Sequence, residues 1–252
     1  MNKVAIIIGT KNRLNFIIRT IQYYASINSP HPIFIGDASS ESSEEIILDA
    51  AQEKVEVYYF HWKNLNDRKT WIKLSQEAIK VNITDYCAYH GDDDFFVPES
   101  LSKCADFLYD NPEYRTSQGR AFSFVLNEDG PYGKLKDLGI YWNINELKGK
   151  TSLERLKEIT INYWVPIFSV HRIKEFIDDI SNGVDSIIDR NFGEYVNSLT
   201  IAMRGESKFI DCLYLARQIH SGIDHSTTFD WITGENWNIL GCKRIKWRYS
   251  TR

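Results

Sequence analysis

The chain predicts an α/β architecture, with a mostly parallel sheet flanked by helices. Three features carry this expectation. Short apolar runs alternate with amphipathic stretches over the first hundred residues, the order that builds parallel strands joined by right-handed crossovers. The first run is continuous rather than alternating, as in a strand buried on both faces. Three runs stop at small or acidic residues, Gly9-Thr10, Gly36-Asp37 and Gly91-Asp92. Ligands of open α/β sheets bind at such carboxyl ends.

Taken in order, Val4 to Ile8 is the first strand, broken by Gly9-Thr10-Lys11-Asn12-Arg13. Leu14, Ile17, Ile18, Ile21, Tyr24 and Ala25 then repeat at helical spacing, and Pro30 and Pro32 stop that helix. Ile33 to Ile35 is a second strand, ending at Gly36-Asp37-Ala38-Ser39-Ser40. Ser42-Ser43-Glu44-Glu45 has the pattern of a capping box ahead of a short helix through Ala51. Val55 to Phe60 is a third strand. Trp71, Leu74, Ala78 and Ile79 mark the next helix face, and Tyr86 to Tyr89 is the fourth strand. Pro98 opens a helix that Asn111-Pro112 ends. Arg120 to Asn127 predicts a strand, 128–131 a turn and 132–150 a loop rich in Gly, Lys and Asn. Thr151 to Glu154 is a second capping box, Tyr163 to Val170 reads as extended, Phe192 to Arg204 as a helix, and Lys208 to Leu215 as a strand.

The whole chain narrows the function classes. It has 252 residues, 43% of them hydrophobic, enough for one large domain with its own core. A formal net charge of -4 argues against a general nucleic-acid binder. Four scattered cysteines without a CxxC pair speak against a thiolate metal site or a disulfide framework and fit a reducing cytoplasm. No apolar run is long enough to span a membrane, and the N-terminal run is too short for a signal-peptide core.

The chemistry concentrates in Tyr86 to Pro98, where the fourth strand runs into Asp92, Asp93 and Asp94. Three adjacent carboxylates repel one another unless a cation sits among them. Magnesium typically takes one or two carboxylates together with substrate phosphates. The cluster is therefore a candidate metal–diphosphate site. A solvated turn leading into the helix after Pro98 is the alternative.

Together these stretches resemble the GT-A glycosyltransferases of the large family-two group. Ile6-Ile7-Ile8-Gly9-Thr10-Lys11-Asn12-Arg13 resembles the opening strand and loop, although Gly9 and Lys11 depart from the Pro and Tyr of the usual pattern. Gly36-Asp37-Ala38-Ser39-Ser40 resembles the second-strand element, with Gly36 in place of its first Asp. Gly91-Asp92-Asp93-Asp94 matches the DXD element at the expected place. The likeness is clear over residues 4–100 and weaker beyond.

The resemblance implies a GT-A, Rossmann-like domain over 1–252. Residues 1–100 would bind a nucleotide sugar, most simply a UDP-sugar, and 101–252 would form a smaller acceptor-binding half and a tail. Thr10, Arg13 and Asp37 match positions lining the nucleoside pocket. Lys69 is a candidate for the nucleoside or diphosphate, with Arg68 and Lys73 offering the same charge nearby. Asp92 and Asp94 would hold Mn2+ or Mg2+ under the leaving diphosphate, while Asp93 bonds donor hydroxyls. A late His, His220 or His225, would complete the metal shell. Inverting transfer needs a base, and Phe192-Gly193-Glu194-Tyr195 resembles the family's acidic element; Glu194 is the candidate, Asp185 and Asp189 the alternatives. Trp142, Trp164, Trp231 and Trp237 are candidates to stack on acceptor sugars. Lys243 to Arg248 mixes cations with aromatics, as a segment meeting an anionic membrane surface or a lipid-diphosphate acceptor would. The resemblance thus implies an inverting, metal-dependent glycosyltransferase acting on a glycan or lipid-linked acceptor in cell-surface polysaccharide assembly, in the cytoplasm or at the inner face of the membrane. The competing readings are a catalytically silent nucleotide- or glycan-binding module on the same fold and a nucleotidyltransferase. The latter is disfavoured because no Gly-rich phosphate loop follows the first strand.

Overall fold

The structure, a computed structural model, describes residues 1–142, 146–181, 187 and 190–220. The first half is the repeating unit expected from sequence. Strands β1 (Ala5–Thr10), β2 (Ile33–Asp37), β3 (Val57–His61) and β4 (Tyr86–Gly91) are linked by helices α1 (Leu14–Ser26), α2 (Glu44–Ala51) and α3 (Asp67–Val81). All pair in parallel, with β1 between β2 and β4. Ile6, Ile7 and Ile8 are 0% exposed because sheet neighbours and both helical layers enclose them. Fully burying such a side chain stabilises by about 1.5–3 kcal/mol. On α1, Ile17, Ile21, Tyr24 and Ala25 pack inward as their spacing predicts, Leu14 and Ile18 are half-buried, and Thr20 joins the buried face.

The second half contains β5 (Phe95–Phe96), α4 (Pro98–Asp110), β6 (Tyr114–Leu126), β7 (Leu135–Trp142), α5 (Ser152–Ile161), β8 (Val170–Arg172), α6 (Ile173–Ser181), α7 (Arg190–Arg204) and β9 (Glu206–Gln218). Among the described residues one sheet runs β3-β2-β1-β4-β8-β6-β9-β5, with β7 paired to β6 beside that path. The fold is thus a mixed α/β sheet, parallel through its first four strands; beyond β4 the pairs β4–β8, β8–β6 and β9–β5 are antiparallel, whereas β6 and β9 run parallel.

One feature of the register positions the site. Gly36, Gly9 and Gly91 stand side by side on β2, β1 and β4. Helix α3 lies against the first two: a Cβ at Gly36 would stand 2.4 Å from Thr70 Cγ2, and one at Gly9 3.3 Å from Trp71 Nε1. Close approach of the helix requires the missing side chains. This accounts for glycine where the resemblance expects larger residues.

Several expectations are corrected. Residues 135–142 are a strand, not a loop, because Leu135 to Trp142 find an antiparallel partner in β6. Tyr163 to Val170 is not extended throughout: Pro166–Phe168 is a 3-10 turn before β8. Helix α6 was not legible as an element. The capping box at Ser42–Glu45 does not form; Ser43 makes no side-chain cap, and its N–H donates instead to Tyr59 Oη at 3.0 Å. The box at Thr151 and Glu154 does form. Trp164 is a core residue, packed with Leu147, Ile159 and Ala202, so it is unavailable for sugar stacking. Expectations placed on Asp185, Asp189, His225, Trp231, Trp237, residues 243–252 and the Trp142 side chain lie outside the described residues.

Candidate active site

The carboxyl ends of β1, β2 and β4 bring Thr10, Asp37 and the Asp triplet together. Thr10 pairs with Asp37 across the sheet, and its Oγ1 donates to Asp92 Oδ2 at 2.7 Å. Helix α1 fastens the backbone of the acidic loop turn by turn. Thr20 Oγ1 donates to the Asp92 carbonyl at 2.7 Å, Arg19 Nη2 to that of Asp93 at 3.0 Å, and Tyr23 Oη to that of Phe96 at 3.0 Å. Tyr24 Oη accepts the Phe96 N–H at 2.9 Å and lies 2.8 Å from His90 Nε2. His90 Nδ1 is 2.6 Å from the Gly91 carbonyl, which can only accept, so Nδ1 carries the proton and Tyr24 donates to Nε2. Asp92 and Asp94 are almost fully buried on this scaffold.

The three carboxylates differ in partners. Arg13 bridges two of them, Nη1 to Asp92 Oδ1 and Nη2 to Asp93 Oδ2, each at 2.8 Å. His220 Nε2 also lies 2.8 Å from Asp93 Oδ2. Burial works to raise the Asp93 pKa, but His220 and Arg13 outweigh it and hold that group below the usual carboxylate range. Asp94 accepts the Gln218 N–H at 3.2 Å and faces Arg217 Nε at 3.8 Å. Burial raises both Asp92 and Asp94; Arg13 opposes it at Asp92, whereas the charge of Asp93 reinforces it at Asp94. Arg217 stacks over Tyr141 and Phe168, with 4.8 Å to each ring centroid. Burial alone would lower its pKa, but Asp94, Tyr141, Glu194 and Asp93 together raise it.

That last influence brings Glu194, on α7, into the electrostatic field of the site. Glu194 is half-buried and is the fifth residue of its helix rather than a first-turn residue. Beside the triplet, a cavity of about 240 Å³ is lined by Thr10, Asn12, Leu14, Asp37, Ser39 and Ser43, among others. Asp37 is anchored at its rim: Oδ1 accepts from Ser39 N at 2.8 Å and Oδ2 from Tyr59 Oη at 2.7 Å. Both oxygens keep acceptor capacity. Arg13 turns to the triplet rather than to this cavity. In α3, Lys69 is half-buried, Lys73 lies over the Trp62 ring, and Arg68 is the cation carried inside.

Sequence reasoning missed Arg19, Thr20, Tyr24, His90 and Arg217. Arg217 carries no local signal, since a lone arginine in a strand is ordinary. The α1 residues were legible only as a helix face, not as ligands of a loop some 70 residues away.

A divalent cation, implied by the resemblance, can be tested against these groups. Among the described residues no three His, Cys, Asp or Glu side chains gather as a ligand cluster. Two buried carboxylates whose charged forms are disfavoured nevertheless match a hard dication, which needs only one or two such ligands when phosphates supply the rest. Asp94 fits best, because its ion pair with Arg217 is longer than a hydrogen bond, whereas Asp92 is engaged by Arg13 and Thr10.

No family model and no curated protein sequence matches the chain. Solved structures do. The chain is similar to TarS of S. aureus, with a TM-score of 0.58 at 12% identity, over 86% of this chain and 37% of that one. It is also similar to TarS 1-349 in complex with UDP-GlcNAc, with a TM-score of 0.55 at 13% identity over 89% of this chain and 60% of that one. For the complex with UDP the TM-score is 0.52 at 13% identity, over 86% and 60%. The chain therefore spans 37% to 60% of the length of these neighbours. At such identity the likeness establishes the fold they share.

Proposed function

We propose that the chain is an inverting, metal-dependent glycosyltransferase that moves a sugar from a nucleoside-diphosphate donor to a glycan or lipid-linked acceptor. The observation that carries this reading is the meeting of Thr10, Asp37 and the Asp triplet at adjacent strand ends. It is supported by the shared fold with a protein solved with UDP and UDP-GlcNAc. A UDP-sugar is accordingly the first donor to test. Residues 1–100 carry the donor side and 101–252 the acceptor side. Cell-surface polysaccharide assembly, at the inner face of a membrane met through residues 243–252, belongs to the same reading.

In this reading the 240 Å³ cavity takes the nucleoside, with Asp37 accepting from a base N–H or ribose hydroxyl. Asp94 would hold Mn2+ or Mg2+ with Asp92 as the second carboxylate, and His220, which lies against Asp93, would have to turn from it to complete the shell. Such a cation, when bound, supplies Lewis-acid stabilisation of the leaving diphosphate. Lys69 adds positive charge on the donor side, and Asp93, held ionised by Arg13 and His220, accepts from donor hydroxyls. Glu194 removes the proton from the acceptor hydroxyl, a task that needs an ionised carboxylate within hydrogen-bond reach. Thermal-shift measurements with UDP, GDP, CDP and their sugars, with and without manganese, test the donor half. A bound donor raises the melting temperature by mass action. No shift with any nucleotide sugar under either condition would overturn the reading.

A further inference from the structure

Arg68 is a buried arginine with no counter-ion among the described residues. It is 8% exposed, and its Nη1 is among the buried atoms that find no hydrogen-bond partner. Its guanidinium makes no ion pair with any described residue. Burial lowers its pKa, and Asp67, next to it in the chain, partly offsets this. One turn along α3, on the same face, Trp71 is also 8% exposed, and its indole Nε1–H lacks an acceptor too. Both groups are donors only. Desolvating an unpaired charge is unfavourable. Two orphan donors on one helix face therefore call for an acceptor that the described residues do not supply.

Their position is specific. Trp71 Nε1 stands 3.3 Å from where a Cβ of Gly9 would be, one residue before Thr10, which donates to Asp92. Arg68 Nη2 lies over Gly193, where a Cβ would come within 1.7 Å. Gly193 precedes Glu194, so a glycine makes room for the guanidinium directly beside the candidate base. The orphan donors thus lie between the end of β1 and α7, and neither lines the cavity beside Asp37.

We propose that Arg68 and Trp71 form a second anion subsite, which takes a phosphoryl group of the substrate between the β1 end and Glu194. A planar guanidinium matches phosphoryl oxygens with parallel N–H bonds, and a neutral hydroxyl would leave its charge unbalanced. The inference rests on the glycosyl-transfer reading only for which substrate brings the group: the diphosphate of the donor or a phosphoryl on the acceptor.

Calorimetry on the full chain separates these sources, with uridine, UDP, inorganic pyrophosphate and glycerol phosphate as probes. Arg68→Gln is expected to weaken at least one phosphoryl probe 10-fold or more and to leave uridine binding unchanged. Loss confined to UDP and pyrophosphate assigns the donor, and loss confined to glycerol phosphate assigns the acceptor. Trp71→Phe, which keeps the ring and removes the N–H, is expected to weaken the same probe several-fold. Arg68→Lys should recover part of the loss. Because the charge is unpaired, Arg68→Gln should keep or raise the melting temperature; a clear fall would mark a structural arginine and overturn the proposal. So would unchanged affinity for every phosphoryl probe in Arg68→Gln, or a parent protein that binds none of them. Pyrophosphate binding through Arg68 in a protein that ignores uridine and UDP would keep this subsite and reject the donor reading instead.

Discussion

Thr10 Oγ1 donates to Asp92 Oδ2 at 2.7 Å, tying the end of β1 to the acidic loop after β4. Both residues are buried, so water cannot replace the bond. Hydrogen bonds to charged groups contribute about 1.5–3 kcal/mol, and leaving a buried acceptor unmatched costs a comparable amount. Thr10→Val, nearly isosteric, is expected to lower the unfolding free energy by about 1–3 kcal/mol. Thr10→Ser should retain most of it. Urea denaturation checks this: the midpoint should fall with an unchanged slope, and equal midpoints would remove the bond from any structural role.

Within the triplet, Asp94 has the longest contacts with the protein's own donors, 3.2 Å to the Gln218 N–H and 3.8 Å to Arg217. Asp94→Ala is expected to abolish the manganese-dependent part of nucleoside-diphosphate binding while the chain stays folded. Calorimetric titration of UDP with and without manganese reads this directly. A variant whose affinity still rises with manganese as the parent's does would move the metal elsewhere.

Asp37 sits at the rim of the cavity, held by Ser39 and Tyr59. Asp37→Ala is expected to weaken uridine and UDP alike, independently of metal, because the lost acceptor faces the nucleoside. The substitution also frees the Ser39 N–H and the Tyr59 hydroxyl, so a lower melting temperature accompanies it. Asp37→Asn separates the two effects: it keeps one acceptor oxygen for the loop and loses the charge. Equal uridine affinity in all three proteins would make Asp37 a loop anchor only.

What could be read from the sequence follows the range of the forces. The repeating half was legible because hydrophobic periodicity is local: Ile6 to Ile8 and the α1 stripe state their burial within a few residues. The triplet was legible because like charges in sequence are also like charges in space. Strand β7 was not, since Leu135 to Trp142 gain their conformation from pairing with β6 and carry weak local preference. The pairing of Arg217 with Asp94, 123 positions apart, and the grip of Tyr24 on His90 exist only once the sheet has formed. Arg68 showed its charge in the sequence but not its burial, which the glycines at 9 and 36 make possible by admitting α3 to the sheet.

His171 on β8 is 0% exposed, and burial, aided by Arg115, pushes its pKa down to about 3. Its Nε2 lies 3.1 Å from the Pro166 carbonyl, so the neutral ring donates there. In the unfolded chain it protonates near 6.5. A depressed folded-state pKa means stability that is fully present above 6.5 and lost as pH falls from there toward 3. The slope is about 1.4 kcal/mol per pH unit. Other buried groups titrate with the opposite sign, so the readout is a difference. The stability gap between parent and His171→Gln should shrink at about that slope between pH 6 and 4. A gap independent of pH would show that His171 is protonated in the fold.

Glu194 acts, in the proposed reaction, on the acceptor and not on the donor. Its charge already reaches Arg217, which faces Asp94, so a carboxylate there is within the field of the leaving-group side. Glu194→Gln keeps the size and one acceptor oxygen but removes the basic charge. General-base assistance typically contributes about 10²–10⁴-fold in rate. Turnover is expected to fall by that factor, with donor affinity nearly unchanged and hydrolysis of the donor by water falling less. A helix residue with no catalytic role gives the opposite pattern, a lower melting temperature with turnover close to normal. The measurement follows identification of the donor and acceptor, with single-turnover rates set beside calorimetric donor affinity. Turnover within a few-fold of the parent would move the base to another late carboxylate, Asp185 or Asp189, or to the triplet itself.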